Sequence, residues 1–351
     1  MRFRSWCLAT AVSVGTVVAG GGAQAATLCV FDPSGNAGPM PSVMQDYAVA
    51  MQRFGVQITS RVYQDEARAH DDFKAGLCDG IVATGLRLRQ YNRATGAIDS
   101  LGGTTIIRNG QLDIDASYEV MRKLLQTYSA DSPQVYNLMV QGRYEVGGIM
   151  PVGAAYLITR DRRISTVEAM AGKRVIALPH DPAQSMMIRR IKAVPTPMEV
   201  AQIVPFFREN KVDLIALPAL AFAPFQVDSA LGMSGAVIRF PLMLLSYQVI
   251  LDQSKFPEGF GPRSRTWFMG QYDRMLQLIR RSEAVDIPAR SWMTLPDDAI
   301  YRYTLMLQEA RLDIARQGIY DKRGLRILKK VRCHVNPADN ECKTRQEEDW
   351  N

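Results

Sequence analysis

Three short apolar runs separated by two helical stretches open this chain, and they constrain its fold more than any other feature. TLCVF (27–31), VQITSRVY (56–63) and DGIVAT (79–84) have the length and composition of strands. Between the first two, Met40, Val43, Met44, Tyr47, Ala48, Met51 and Phe54 recur at three- and four-residue steps, and Gly55 stops the helix. Between the second and third, DEARAHDDFKAG (65–76) is a short helix with an acidic start that ends at Gly76. A β-α-β-α-β order implies a parallel sheet with helices on its faces, hence an α/β protein. In the common doubly wound arrangement the first strand lies between the second and third. Cys29 and Cys78 would then be neighbours.

The same order recurs later without an obvious sequence repeat. GAAYLIT (153–159), KRVIAL (173–178) and VDLIALP (212–218) read as strands. Ser165-Thr166-Val167-Glu168 and Thr196-Pro197-Met198-Glu199 have the spacing of capping boxes, the second with proline at the first helical position. The helices are a short one ending at Gly172, MMIRRIKA (186–193), and EVAQIVPFFREN (199–210), which Pro205 interrupts. LMLLSYQVIL (242–251) is an apolar strand able to run back to the first unit. Amphipathic helices follow from Arg265 to Glu283 and from Pro296 to Gln317, then a basic helix, DKRGLRILKKVR (321–332), read as a solvated face with a docking surface for a membrane partner or anionic lipid as the alternative. The expected division is a leader (1–25), a first α/β lobe (26–145), a second (146–245), a return strand and helices packing on the first lobe (246–332), and a disulfide loop with a polar tail (333–351).

The leader sets the compartment. Arg2 and Arg4 precede a largely apolar run from Trp6 to Ala19, and Ala23-Gln24-Ala25 is a signal-peptidase pattern. That run is shorter than the ~20 residues of a membrane span. Cleavage after Ala25 without lipidation is expected, giving an exported, periplasmic protein. Four cysteines then remain, Cys29, Cys78, Cys333 and Cys342; an even number in an oxidising compartment suggests two disulfides. Three pairings are open, and the spacing favours Cys29 with Cys78 and Cys333 with Cys342. The formal charge of +7, to which Arg2 and Arg4 contribute, argues weakly for anionic ligands or membrane surfaces and hardly at all for nucleic acid.

Catalytic signals are sparse. The sequence has no P-loop, HExxH, G-x-S-x-G or G-x-G-x-x-G. His70 reads as a surface residue and His334 as part of the terminal loop, and the pairs Asp71-Asp72 and Glu347-Glu348 read as solvated. His334 with Cys333 and Cys342 matches no common zinc pattern, so no metal or cofactor is expected. Recognition is the better reading, because open α/β sheets bind ligands at the carboxyl ends of their strands. Five loops have that place: 32–38, 84–89, 100–104, 179–185 and 218–219. Arg87 and Arg89 in the second could clamp a carboxylate or phosphate.

The segments CVFDPSGNAG, DYAVAMQRFG and above all DFKAGLCDGIVATG resemble the Gram-negative periplasmic solute-binding proteins, some of which carry the label of RND-type efflux proteins. GAAYLITRDRRISTVEAMAGKRVIALP is similar, more distantly, to the second lobe of TRAP-type, DctP-like solute receptors. The resemblance implies a type II periplasmic binding fold, with two lobes closing on a small polar solute, anionic in many relatives, for an inner-membrane permease. It implies a monomer and no enzyme. Many TRAP receptors place an arginine after the glycine of this motif; here Ile176 falls at or beside that position, with Arg174 two residues away. Asp32, Ser34, Asn36, Thr84, Arg87, His180, Asp181 and Ser185 are the expected cleft residues. The rival expectations are an exported accessory factor of a transport or efflux system without its own ligand, and an exported hydrolase. A wet polar cleft would favour the receptor; a cleft packed shut with apolar side chains would favour the accessory factor.

Overall fold

The computed structural model describes residues 24–349. The expected leader falls mainly on residues outside that range; its last two, Gln24 and Ala25, open the first strand. In chain order the strands are β1 (Gln24–Phe31), β2 (Val56–Tyr63), β3 (Gly80–Thr84), β4 (Tyr144–Thr159), β5 (Arg174–Ala177), β6 (Val194–Pro197), β7 (Leu214–Pro218) and β8 (Ala236–Asp252). The helices that matter for the site are α1 (Pro39–Gln52), α2 (Glu66–Lys74), α3 (Ile114–Ser129), α4 (Pro182–Arg190), α5 (Phe260–Gly270), α6 (Tyr272–Val285), α7 (Asp297–Arg316) and α8 (Lys322–Val335).

The eight strands form one continuous path in the order β2-β1-β3-β8-β4-β7-β5-β6, with two-residue strands at 140–141 and 292–293 attached to it. β1 lies between β2 and β3 and is parallel to both, as the doubly wound reading requires. The second half, β7-β5-β6, is also parallel within itself. What joins the halves is a pair of long antiparallel strands. β4 and β8 pair from Ala236↔Thr159 to Asp252↔Tyr144, and one end of β8 adds β3 while one end of β4 adds β7. The return strand is therefore longer than LMLLSYQVIL and belongs to both lobes. All but one residue of each long strand is buried or nearly so, and the apolar runs reflect layers on both faces. Four register shifts along the pair mark bulges, which add local twist where the lobes meet.

Cys29 on β1 and Cys78 before β3 are bonded, as are Cys333 and Cys342. The first bridge spans 49 residues, so it removes much of the unfolded chain's freedom. Replacing both Cys29 and Cys78 with alanine should cost about 2–4 kcal/mol in a urea unfolding curve. An unchanged midpoint would show that sheet pairing alone holds β1 against β3.

Several local readings change. Thr196 and Pro197 do not open a helix: 194–197 is the edge strand β6, paired in parallel with β5 from Arg174↔Val194 to Ala177↔Pro197. Proline is tolerated on an edge, and the ladder outweighs a local cap. Ser165 does not cap the short turn at 168–170 either; Thr166 Oγ1 accepts from the Ala169 N–H instead. The helix expected from 265 to 283 is two helices, α5 and α6, which break after Gly270. His70 is buried, its Nε2 2.8 Å from the Tyr91 hydroxyl, because α2 turns that face onto the core. His334 lies exposed on α8 rather than in a loop.

The basic helix is only partly a solvated face. Arg323, Arg326 and Lys330 are exposed, but Lys329 and Arg332 are buried. Glu347, expected in water, is also buried, where Arg311 and Arg332 hold it. The helices after residue 246 reach both lobes. α8 packs on α3 in the first, while Arg190 of α4 in the second bonds Glu309 (2.6 Å) and Asp313 of α7.

Candidate functional site

The carboxyl ends of β1, β3, β5 and β7 converge on a cavity of about 130 Å³. From the first lobe come Phe31, Pro33, Thr84 and Leu86; from the second come Ile176, Leu178, Leu217 and Leu220. Its remaining wall is the joining pair: Ala155 and Leu157 of β4, and Leu245 and Tyr247 of β8. Helix α4 adds Gln184 and Met187. The cleft thus lies where strand topology predicts it, but its lining is apolar. It is neither wet nor packed shut.

Among the described residues, three lining side chains carry polar atoms suited to a ligand, apart from sulfur. Thr84 caps the short helix 85–88, its Oγ1 accepting from the Arg87 N–H at 3.3 Å. Gln184 uses its Oε1 to accept from the Leu178 N–H at 3.0 Å. The Tyr247 hydroxyl makes no hydrogen bond among the described residues, although the ring packs edge-on to Phe31. Burial raises the Tyr247 phenol well above its ordinary range, so it is a neutral donor and acceptor.

Beside the cavity, two arginines of the first lobe hold carboxylates of the second. Arg87 Nε donates to Glu66 at 3.2 Å, and its Nη2 donates to Glu199 at 2.5 Å. Arg89 Nη1 donates to Asp181 at 2.7 Å, and its other nitrogens reach the carbonyls of Gly96 (3.1 Å) and Asp99 (3.3 Å). The Arg89 guanidinium also lies 4.9 Å from the centre of the Tyr320 ring. The two arginines do clamp carboxylates, then, but the protein's own. Asp181 Oδ1 additionally accepts from the Ala183 N–H and so caps α4.

Behind this clamp sits Asp99, fully buried, accepting from Ser246 Oγ at 2.9 Å. The chain passes so close at Gly85 that a Cβ there would lie 1.8 Å from Asp99 Oδ2. Burial pushes Asp99 up to about 7, although Arg89 and Ser246 pull the other way. His180 has both ring nitrogens buried without a partner among the described residues. Burial, with Arg87 and the nearby His70 and Arg89 adding to it, lowers His180 to about 3, so the ring is neutral.

The expected cleft residues separate into groups. Thr84 lines the cavity. Arg87 and Asp181 form the cross-lobe pairs. Asp32 has both oxygens committed to its own loop, accepting from the N–H groups of Ser34 (2.8 Å) and Met40 (2.9 Å). Ser34, Asn36, His180 and Ser185 are not among the lining residues. Ile176, at the position compared with the TRAP arginine, does line it; Arg174 instead binds Asp213 through two nitrogens on the exposed side. Sequence reading missed Tyr247, hidden in an apolar strand, and Glu199, assigned to a cap.

The family model described as "Solute-binding protein AdeT 1/2" matches residues 43–347. "Probable solute-binding protein AdeT1" of Acinetobacter baumannii is 36% identical over 313 residues, covering 89% of this chain and 98% of that protein. The AdeT2 protein of the same organism is 27% identical over 221 residues, or 63% of this chain and 92% of its own length. Among solved structures, a TRAP periplasmic solute-binding protein from Desulfovibrio salexigens with bound orotic acid superposes with a TM-score of 0.69 at 11% identity, covering 89% of this chain and 99% of that one. One from Sulfitobacter sp. NAS-14.1 with bound β-D-galacturonate gives 0.66 at 12% identity, covering 87% and 99%. These structures share the mixed α/β architecture described above. This chain therefore belongs to the AdeT 1/2 family of solute-binding proteins.

Proposed function

We propose that this chain is a periplasmic receptor, exported with loss of residues 1–25, that closes on a small solute and presents the closed form to an inner-membrane permease. The lobes in this reading are residues 26–145 and 146–245, with the later helices bracing them and residues 333–351 forming a pinned tail. The cavity at the converging strand ends carries the reading, since an accessory factor with a collapsed cleft has no use for such a volume. The orotate and galacturonate in the structural neighbours support a small-molecule cargo for the fold. The protein acts as a monomer without metal or cofactor, and takes no nucleic acid. It performs no chemistry on the solute.

Closure follows from differential contact. A solute that touches both lobes favours the closed state by the contacts it loses on opening. The pairs Arg87–Glu199 and Arg89–Asp181 add to closure, since opening breaks both. In this scheme Thr84 meets the solute, Arg87 and Asp181 clasp the lobes, and Asp32 shapes the first loop with Ser34 and Asn36. His180 and Ser185 support the start of α4.

Thermal unfolding against a panel of metabolites tests this. A solute at a hundred times its dissociation constant should stabilise the fold by about 2.7 kcal/mol. If no compound moves the midpoint while the protein captures a transporter complex, the receptor reading fails and the accessory role takes its place.

A further inference from the structure

Taking the receptor reading as its basis, we propose that the solute is uncharged, and that the part held between the lobes is an apolar body about the size of a benzene ring with one polar group at the Tyr247 hydroxyl. Three observations carry this. The first is the wall. Phe31, Leu86, Leu157, Ile176, Leu178 and Leu245 surround about 130 Å³ of space, and among the described residues no charged side chain lines it. Apolar cavities of roughly 150 Å³ stay dry and accept benzene, so this volume favours a compact apolar guest over a hydrated one.

The second is the state of the nearby cations. A carboxylate moved into an apolar cavity needs a cation to offset its lost hydration. Arg87 already holds Glu66 and Glu199, and Arg89 holds Asp181 and two backbone carbonyls. Two guanidinium groups thus face three carboxylates, an environment that repels an incoming anion. A cation fares no better inside, because no carboxylate of the described residues reaches the wall.

The third is the distribution of polar atoms. Thr84 Oγ1 and Gln184 Oε1 each accept from backbone, although the Gln184 Nε2 makes no hydrogen bond among the described residues, and neither does the Tyr247 hydroxyl. It sits on the joining strand β8, opposite Thr84 of β3, and so is placed at the seam between the lobes. A hydroxyl, amide or ring nitrogen on the solute satisfies it. Fixed in this way, an aromatic or aliphatic body extends toward Leu178 and Leu217.

Calorimetric titration of the purified protein with 4-methylphenol, toluene, benzylamine, malonate and D-galacturonate separates the possibilities. We expect 4-methylphenol to bind more tightly than toluene, with no heat from the acids or the amine. Tyr247→Phe should weaken 4-methylphenol about three- to tenfold, the worth of one hydrogen bond, while leaving toluene unchanged. Ala216→Leu, which fills part of the cavity, should weaken both, with its circular dichroism spectrum confirming the fold. Tight binding of malonate or galacturonate overturns the uncharged class and leaves the receptor reading standing. Preference for benzylamine overturns it equally. Should no probe bind, and a broad metabolite panel also leave the midpoint unmoved, both this inference and the receptor reading fall.

Discussion

Replacing Glu347 with glutamine should lower the folding stability by about 3–5 kcal/mol, the usual cost of removing one partner from a buried ion pair. Glu347 is 2% exposed and accepts from Arg311 Nε at 2.6 Å and from Arg332 Nη2 at 2.8 Å. Both arginines are 1% exposed, and each also bonds Glu341 at 2.5 Å. They reach further, to the carbonyls of Leu101 and Gly103 at 2.7 Å each. The network therefore ties α7, α8 and the tail to a loop of the first lobe, and the Cys333–Cys342 bridge pins the tail that supplies the acids. Without Glu347, two desolvated guanidinium groups share one remaining carboxylate. Burial alone would raise Glu347, but Arg311 and Arg332 outweigh it and hold the carboxyl below its usual range. Its contribution is thus present above the ordinary glutamate value and is lost as pH falls through the lowered one. Urea unfolding at pH 7 decides the matter. A loss under 1 kcal/mol would mean that hydration of the tail, not pairing, governs this corner. Apolar replacement of Arg311, Arg332, Glu341 and Glu347 together should recover much of the loss, since it removes charge and desolvation cost at once.

The second large effect is a pH dependence at Asp99. Its folded value, about 7, lies above the ordinary 3.8, because full burial disfavours the charge. A raised acid contributes stability that is complete below pH ~4 and is lost as pH rises through about 7. That displacement corresponds to about 4 kcal/mol across the window. Asp99→Asn has no proton to lose, so its stability relative to the parent should climb by about that amount between pH 4 and 8. The histidines act in the opposite sense. Burial lowers His70 to about 4 and His180 to about 3, so their contribution is lost as pH falls below the ordinary 6.5. With two histidines against one acid, the parent's own stability rises between pH 4 and 6.5, and the difference between parent and Asp99→Asn isolates the acid. Parallel curves would show that Asp99 stays ionised, neutralised by Arg89.

Much of the architecture was legible from local pattern. The apolar runs at 27–31, 56–63, 79–84 and 212–218 are strands, and the order of the first three places Cys29 beside Cys78. The strand 242–251 does return to the first lobe. Local pattern misled where a distant partner offered more. Residues 194–197 resemble a helix start, yet pair as an edge strand because β5 offers a ladder. Glu199, released from capping, then reaches an arginine 112 positions earlier. Glu347 looks solvated among its charged neighbours, and only the fold of α7 and α8 brings two arginines to it.

At the site the same contrast holds. Loops at strand ends are a property of chain order, so the position of the cleft could be read in one dimension, and Arg87 with Arg89 stood out as a clamp for carboxylates. Which carboxylates they hold depends on residues 92 and 112 positions away meeting across the lobes. By itself the sequence determined the order of the first β-α-β-α-β unit, the favoured disulfide pairing and the end of the sheet at which the cavity lies, because periodicity and turn chemistry are local. Tertiary structure decided the character of the cavity. Charge pairing engaged Arg87 and Asp181, which sequence had assigned to a ligand, and side chains from six strands left an apolar space that no single segment contains.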